Sequence, residues 1–169
     1  MLASNTREFV RDDGEALWRR SLYTYWKRAV PPPALLTFDA PTRESCVVQR
    51  QVTDTPLQTL VLWNDEQFVE AARALAARAL SRPAADDRAR LTWVLRTCTA
   101  RAPEAAELDA LVAALDDFRA RYAADPSAAL ALLSVGAAPR PDDIPEPELA
   151  AWTLVCNAVL NLSETLNLD

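Results

Sequence analysis

The sequence contains no histidine and only two glycines, Gly14 and Gly136, in 169 residues. The first absence removes Ser-His-Asp and Cys-His catalytic arrangements, His-ligated zinc and C-x-x-C-H haem attachment. The two glycines stand too far apart for a phosphate-cradling loop or a dinucleotide-binding turn. Lysine is nearly missing as well: Lys27 stands alone beside seventeen arginines. Cys46, Cys98 and Cys156 are too widely spaced for a metal knuckle or a redox pair, and they read as small hydrophobes. No apolar run approaches the ~20 residues that span a bilayer. The longest, near Leu149–Leu162, is broken by Asn157 and Asn161. The first thirty residues carry Arg7, Glu8, Arg11, Asp12 and Asp13 where a signal peptide would be apolar.

The formal net charge is −6, unevenly spread. Residues 1–50 hold eight basic and six acidic groups, and residues 51–169 hold ten and eighteen. A net acidic chain argues against a nucleic-acid partner.

What is present favours helices: alanine and leucine are plentiful and β-branched runs are short. Seven helical segments are expected. The first spans about Gly14–Val30, capped by Asp12 or Asp13 and stopped by Pro31-Pro32-Pro33, with Leu17, Trp18, Leu22, Tyr25, Trp26 and Ala29 on one face. Residues 31–54 read as irregular, with room for one helical turn between Pro33 and Pro41. Cys46-Val47-Val48 is the one strand-like fragment, without a partner. Thr55-Pro56-Leu57-Gln58 is a capping box: Thr55 caps, Pro56 takes the first helical position, and Gln58 reaches back. The helix it opens runs to about Trp63. Asn64 then reads as the cap of the next helix, to about Leu80, with Asp65 and Glu66 at its positive end. Further helices are expected over about Asp86–Ala100, Pro103–Ala124 and Pro126–Val135, the last closed by Gly136. After a stiff 137–145 linker, a last helix spans about Glu146–Ser163. It is apolar nearly all round and therefore belongs in the middle of a bundle. The expected fold class is all-α: a bundle of about six or seven helices with one long irregular segment near residues 31–54, forming a single helical domain over 1–169.

The densest polar cluster on irregular backbone runs from Asp39 to Arg50. Asp39, Arg43, Glu44 and Arg50 are the candidate binding residues, and Cys46 lies among them. Two carboxylates there suit acid/base work or cation binding. The same residues equally suit Arg–carboxylate pairs that tie a long loop down, and arginine neighbours favour ionised carboxylates. Thr55, Gln58 and Asn64 are structural caps. No catalytic residue, metal ligand or cofactor is assigned. Calcium at Asp65 and Glu66 lacks EF-hand spacing. The stretch from Trp18 to Trp26 interleaves four aromatics with arginines and Lys27. It suits core packing, base stacking or stacking on sugars.

One resemblance goes further. It rests on Phe38-Asp39-Ala40-Pro41-x-Arg43-Glu44-x-Cys46-x-x-x-Arg50, then Thr53-x-Thr55-Pro56-Leu57-Gln58 and Asn64-Asp65-x-x-Phe68-x-Glu70-Ala71-Ala72. Upstream stands Arg19–Arg28; downstream stand Arg101-Ala102-Pro103-Glu104, Leu149–Trp152 and Leu160–Thr165. Together these resemble the C-terminal part of the Planctomycete PSD-one family, a domain of unknown function numbered 1553. Asp54 and Thr59 depart mildly from that pattern, where Asn and Ala are common.

The resemblance implies a long, multidomain, extracytoplasmic parent that often carries a c-type cytochrome domain, with no established activity. The chain would then be the C-terminal portion of a larger domain, a helical scaffold or interaction module. Its partner would be the missing N-terminal portion or another protein subunit, or a carbohydrate, and it has no membrane span. The alternative is part of an enzyme or binding protein for polysaccharide or redox metabolism, acting through the Asp39–Arg50 loop. An extracytoplasmic or periplasmic location follows only from the resemblance.

Overall fold

The computed structural model describes residues 9–12, 14–27, 30–49 and 51–167. No strand occurs among them, and the chain divides into two compact units, residues 1–61 and 62–169. The fold class is all-α.

The first unit is mostly irregular. Short 3-10 turns occupy Gly14–Trp18 and Ser21–Tyr23, and α1 is a single turn over Pro33–Thr37, begun by a proline. Helix α2 opens at Pro56 and runs to Asn64. The continuous helix expected over Gly14–Val30 does not form. Gly14 has a φ of +58°, and the backbone is extended at Arg20 and Thr24. The physical reason lies in the apolar face. A helix of this length draws its stability from burying one stripe, and here Trp18 is 49% exposed, Leu22 76% and Tyr25 80%. Without a covered face, the weak helix formers Trp, Tyr, Thr and Ser do not hold the chain helical. Asp13, Arg28 and Ala29, part of that expectation, lie outside the described residues. Cys46-Val47-Val48 forms no strand and is exposed.

The second unit is a bundle. Helix α3 spans Glu66–Leu80, α4 Asp87–Thr99, α5 Ala105–Ala124, α6 Pro126–Leu133, α7 Glu146–Leu160, and α8 is one turn over Ser163–Leu166. The cap of α3 is Asp65, not Asn64: the Asp65 carboxylate accepts from the Gln67 N–H at 2.9 Å, while Asn64 closes α2. An aspartate cap keeps the accepting oxygen and adds a negative charge at the positive end of the helix. Asp86 caps α4 through the Ala89 N–H at 2.7 Å, and Asp125 caps α6 through the Ala128 N–H at 3.1 Å. Helix α5 begins two residues later than Pro103. Glu107 reaches back to the Glu104 N–H at 2.7 Å and fixes that start.

Helix α7 is the axis of this unit. Nine of its residues are buried, among them Leu149, Trp152, Val155, Cys156 and Val159, and it packs against α3, α4, α5 and α6. The Trp152 ring is fully enclosed, and its indole N–H donates to Glu148 at 2.9 Å. Burial pushes the Cys156 thiol up, so it behaves as a core hydrophobe. Arginines cross-link the outside. Arg119 of α5 grips Glu148 of α7 with both a terminal nitrogen and Nε, and reaches Asp87 of α4 at 2.7 Å. Arg101 holds Glu107 and Glu164.

Two charged side chains inside this unit escaped the sequence reading. Glu70 and Arg73 lie one turn apart on α3 and are only 5% and 4% exposed. Arg73 donates to the carbonyls of Leu133, Val135 (2.9 Å) and Ala138 (2.6 Å). Glu70 accepts from the N–H groups of Ala137 and Ala138, the latter at 2.9 Å. The chain passes Glu70 so closely at Gly136 that a Cβ there would lie 2.2 Å from Glu70 Oε2. Gly136 also has a φ of +87°, which L side chains resist. It is therefore a glycine of the loop, three residues beyond the end of α6. It does not close that helix.

Two expectations follow. Gly136→Ala lowers the unfolding free energy by about 2 kcal/mol or more, through left-handed strain and the clash with Glu70, as read by urea denaturation. An unchanged midpoint would overturn that account. The second concerns acid. The Arg101 guanidinium, helped by the Glu104 N–H, holds the Glu107 carboxyl down at about 2, below its ordinary 4.5. A carboxyl depressed in the folded state stabilises above its unfolded value and loses that contribution as pH falls through the folded one. The melting temperature therefore declines from about pH 5 towards pH 2, and Glu107→Gln flattens that decline.

Candidate functional site

The polar loop ahead of α2 is organised by one carboxylate. Asp39 sits in the left-handed region with a φ of 59°, a conformation that aspartate tolerates better than most residues. Its backbone N–H donates to the Leu36 carbonyl at 3.3 Å as α1 ends. That places the side chain against the start of α2. Asp39 Oδ2 accepts from the Thr53 N–H at 2.9 Å, the Thr53 hydroxyl at 2.7 Å and Gln58 Nε2 at 3.3 Å.

Gln58 is the second centre. Its Oε1 accepts from the Thr55 N–H at 2.9 Å, and its own N–H donates to Thr55 Oγ1 at 3.3 Å, which completes the capping box. Its Nε2 turns the other way and donates to the Thr37 carbonyl at 2.9 Å and to Thr53 Oγ1 at 3.1 Å. One side chain thus caps α2, holds the end of α1 and joins Asp39. In this unit only Pro32 and Gln58 are buried among the described residues.

Asp39, Thr53, Thr55 and Gln58 come together. Arg43, also left-handed with a φ of 64°, stacks its guanidinium over the Trp26 ring, 4.7 Å from the centroid. That contact holds a cation against an aromatic face while its N–H edge stays free to donate. Glu44 is exposed, and its backbone N–H reaches Thr42 Oγ1 at 3.5 Å. Arg50 lies outside the described residues. Cys46 is exposed. Among the described residues, no three Asp, Glu or Cys side chains converge as a metal ion requires.

The arrangement is chemically conservative. The three donors on Asp39 are an amide N–H, a hydroxyl and a side-chain amide, all directed at one oxygen. They fix a loop of some twenty residues to the mouth of a helix. The sequence pointed to Asp39 and to Thr55 and Gln58 separately. Thr53 joins them in space. The available signal was the Thr-x-Thr-Pro-x-Gln spacing, which sets two hydroxyls beside one amide.

Fold and site together define a small all-α protein in which a capped loop precedes a helical bundle. The chain belongs to the PSD1 family of proteins of unknown function, DUF1553, whose model matches residues 2–115. The resembling segments at Leu149–Trp152 and Leu160–Thr165 fall beyond that match. No curated protein and no solved structure matches the chain. Among the described residues, no helix is long and apolar enough to cross a membrane.

Asp39→Asn replaces an oxygen that collects three donors with an amide offering weaker acceptance. Amide exchange at Thr53 and over the first turn of α2 should accelerate at least tenfold, while exchange in α7 stays unchanged. Equal protection in both proteins would remove Asp39 from its organising role.

Proposed function

We propose that this chain is a helical scaffold and protein-interaction module, the C-terminal portion of a larger extracytoplasmic protein, with no catalysis of its own. The apolar surface of residues 9–61 carries the reading. Val10, Leu22, Tyr23, Tyr25, Val48, Val52, Leu57 and Leu60 are all more than half exposed. A monomer normally leaves single apolar residues in water, and many together mark a contact surface. The extracytoplasmic placement rests on the family resemblance alone. The partner class is a protein surface that covers these side chains, either the N-terminal portion of the same parent or another subunit.

A second reading has an observation behind it: Trp18, Tyr23 and Tyr25 present rings to solvent, as a carbohydrate partner would need. The enzyme alternative has less support, because Asp39 Oδ2 is taken up by Thr53 and Gln58.

Sedimentation velocity over about 1–100 µM tests the proposal. The wild-type chain should associate with rising concentration, and Leu22→Ser with Tyr25→Ser and Leu57→Ser should stay monomeric with an unchanged melt, as exposed substitutions do. A wild-type chain that remains monomeric throughout and binds the apolar dye ANS no better than the triple variant sinks the interaction reading. Saturable quenching of fluorescence by oligosaccharides, lost in Tyr25→Ser, would put the carbohydrate reading in its place.

A further inference from the structure

In the second unit a pocket of about 180 Å³ opens where α3 ends and α4 begins, lined by Arg82, Pro83, Arg90 and Trp93. Arg82 lies over the Trp93 ring at 4.7 Å from its centroid, and Arg78 at 5.6 Å. Neither Arg78 nor Arg82 has a carboxylate within ion-pair distance among the described residues. Most other arginines of this unit do: Arg73, Arg88, Arg90, Arg101, Arg119 and Arg140 all pair with acids. This is notable in a unit whose acidic side chains outnumber its arginines seventeen to ten.

Arg90 puts a second guanidinium on the wall of the pocket. Its Nε is enclosed and donates to nothing. Its one carboxylate contact is with Asp87 at 3.4 Å, and Asp87 is held more tightly by Arg119 at 2.7 Å. The nearby Asp86 carboxylate is occupied as the cap of α4. A guanidinium stacked on an indole uses its π face and leaves its N–H donors in plane, where they match a flat or tetrahedral oxyanion bidentately.

We infer that this pocket is a binding site for a small oxyanion, a carboxylate, phosphate or sulfate group held between Arg82 and Arg90 against Trp93. The anion supplies the negative charge that Arg82 faces without a partner, and a closer partner for Arg90 than the Asp87 carboxylate at 3.4 Å. The site lies wholly within the second unit, so it stands or falls apart from the interaction surface of the first.

The test is a titration of the whole chain with sodium benzoate, phosphate and sulfate, against sodium chloride at matched ionic strength. It is followed by the ¹⁵N signals of the Trp93 indole and the arginine Nε–H groups. A saturable shift of Trp93 and Arg90 with at least one oxyanion, absent in chloride, is the expected result. Saturation by benzoate alone assigns a carboxylate ligand, and saturation by phosphate or sulfate alone a tetrahedral one. Arg82→Gln should weaken binding at least tenfold with an unchanged melt, since Arg82 is exposed. Arg96→Gln, an exposed arginine of α4 outside the pocket, should leave it intact. Shifts that follow chloride, or equal weakening by Arg82→Gln and Arg96→Gln, would overturn the site.

Discussion

Glu70 and Arg73 are opposite charges buried side by side on α3, yet their nearest ion-pair distance is 3.9 Å. Their strong partners are backbone groups of residues 133–138. Removing two such ions from water costs several kcal/mol each unless their donors and acceptors are met. Here the loop meets them, and they meet the loop. Carbonyls at Leu133, Val135 and Ala138 and N–H groups at Ala137 and Ala138 would otherwise lack partners at the end of α6. The exchange lets the chain leave α6 pressed against α3 without orphaned polar groups. It also forces glycine at position 136, because nothing larger fits beside Glu70. Helices α3 and α6 both pack on α7, so this latch fixes two of the helices that bury α7.

The long helices of the second unit were legible because each carries its signals locally. Asp86, Pro103 and Pro126 stand at or near their starts, and apolar residues recur at helical spacing between them. Helix α7 announced its burial by being apolar nearly all round. The latch was not legible for the opposite reason. A glutamate and an arginine three residues apart on an alanine-rich helix look like a solvated surface pair. Only the fold brings residues 133–138 over them. The glycine was visible, but its neighbour in space was not, so the nearest helix end was credited with it.

The first unit shows where periodicity misleads. Leu17, Trp18, Leu22, Tyr25 and Trp26 recur at the spacing of a helical face, but spacing states only which side would be buried if something covered it. With Leu22 and Tyr25 in solvent, the stripe gains nothing from being a stripe, and the backbone settles into short turns. Around α2 the outcome was reversed. The capping box was readable because Thr55 and Gln58 are three residues apart, and its reach to Asp39 and Thr37 was not, because those bonds span nineteen and twenty-one residues.

Charge has different work in the two units. In the second, Arg119 ties α4, α5 and α7, and Arg101 ties the start of α5 to α8. These pairs are partly exposed, so each contributes little, and stability rests on the apolar core around α7. Their larger effect is on register: a guanidinium that grips a carboxylate with two nitrogens admits one orientation of the helices it joins. In the first unit Asp39 accepts from the neutral donors of Thr53 and Gln58. Those bonds give the loop its shape from within its own segment. A segment held that way keeps its own conformation while its apolar side chains stay in water, which is the physical condition of a surface awaiting a partner.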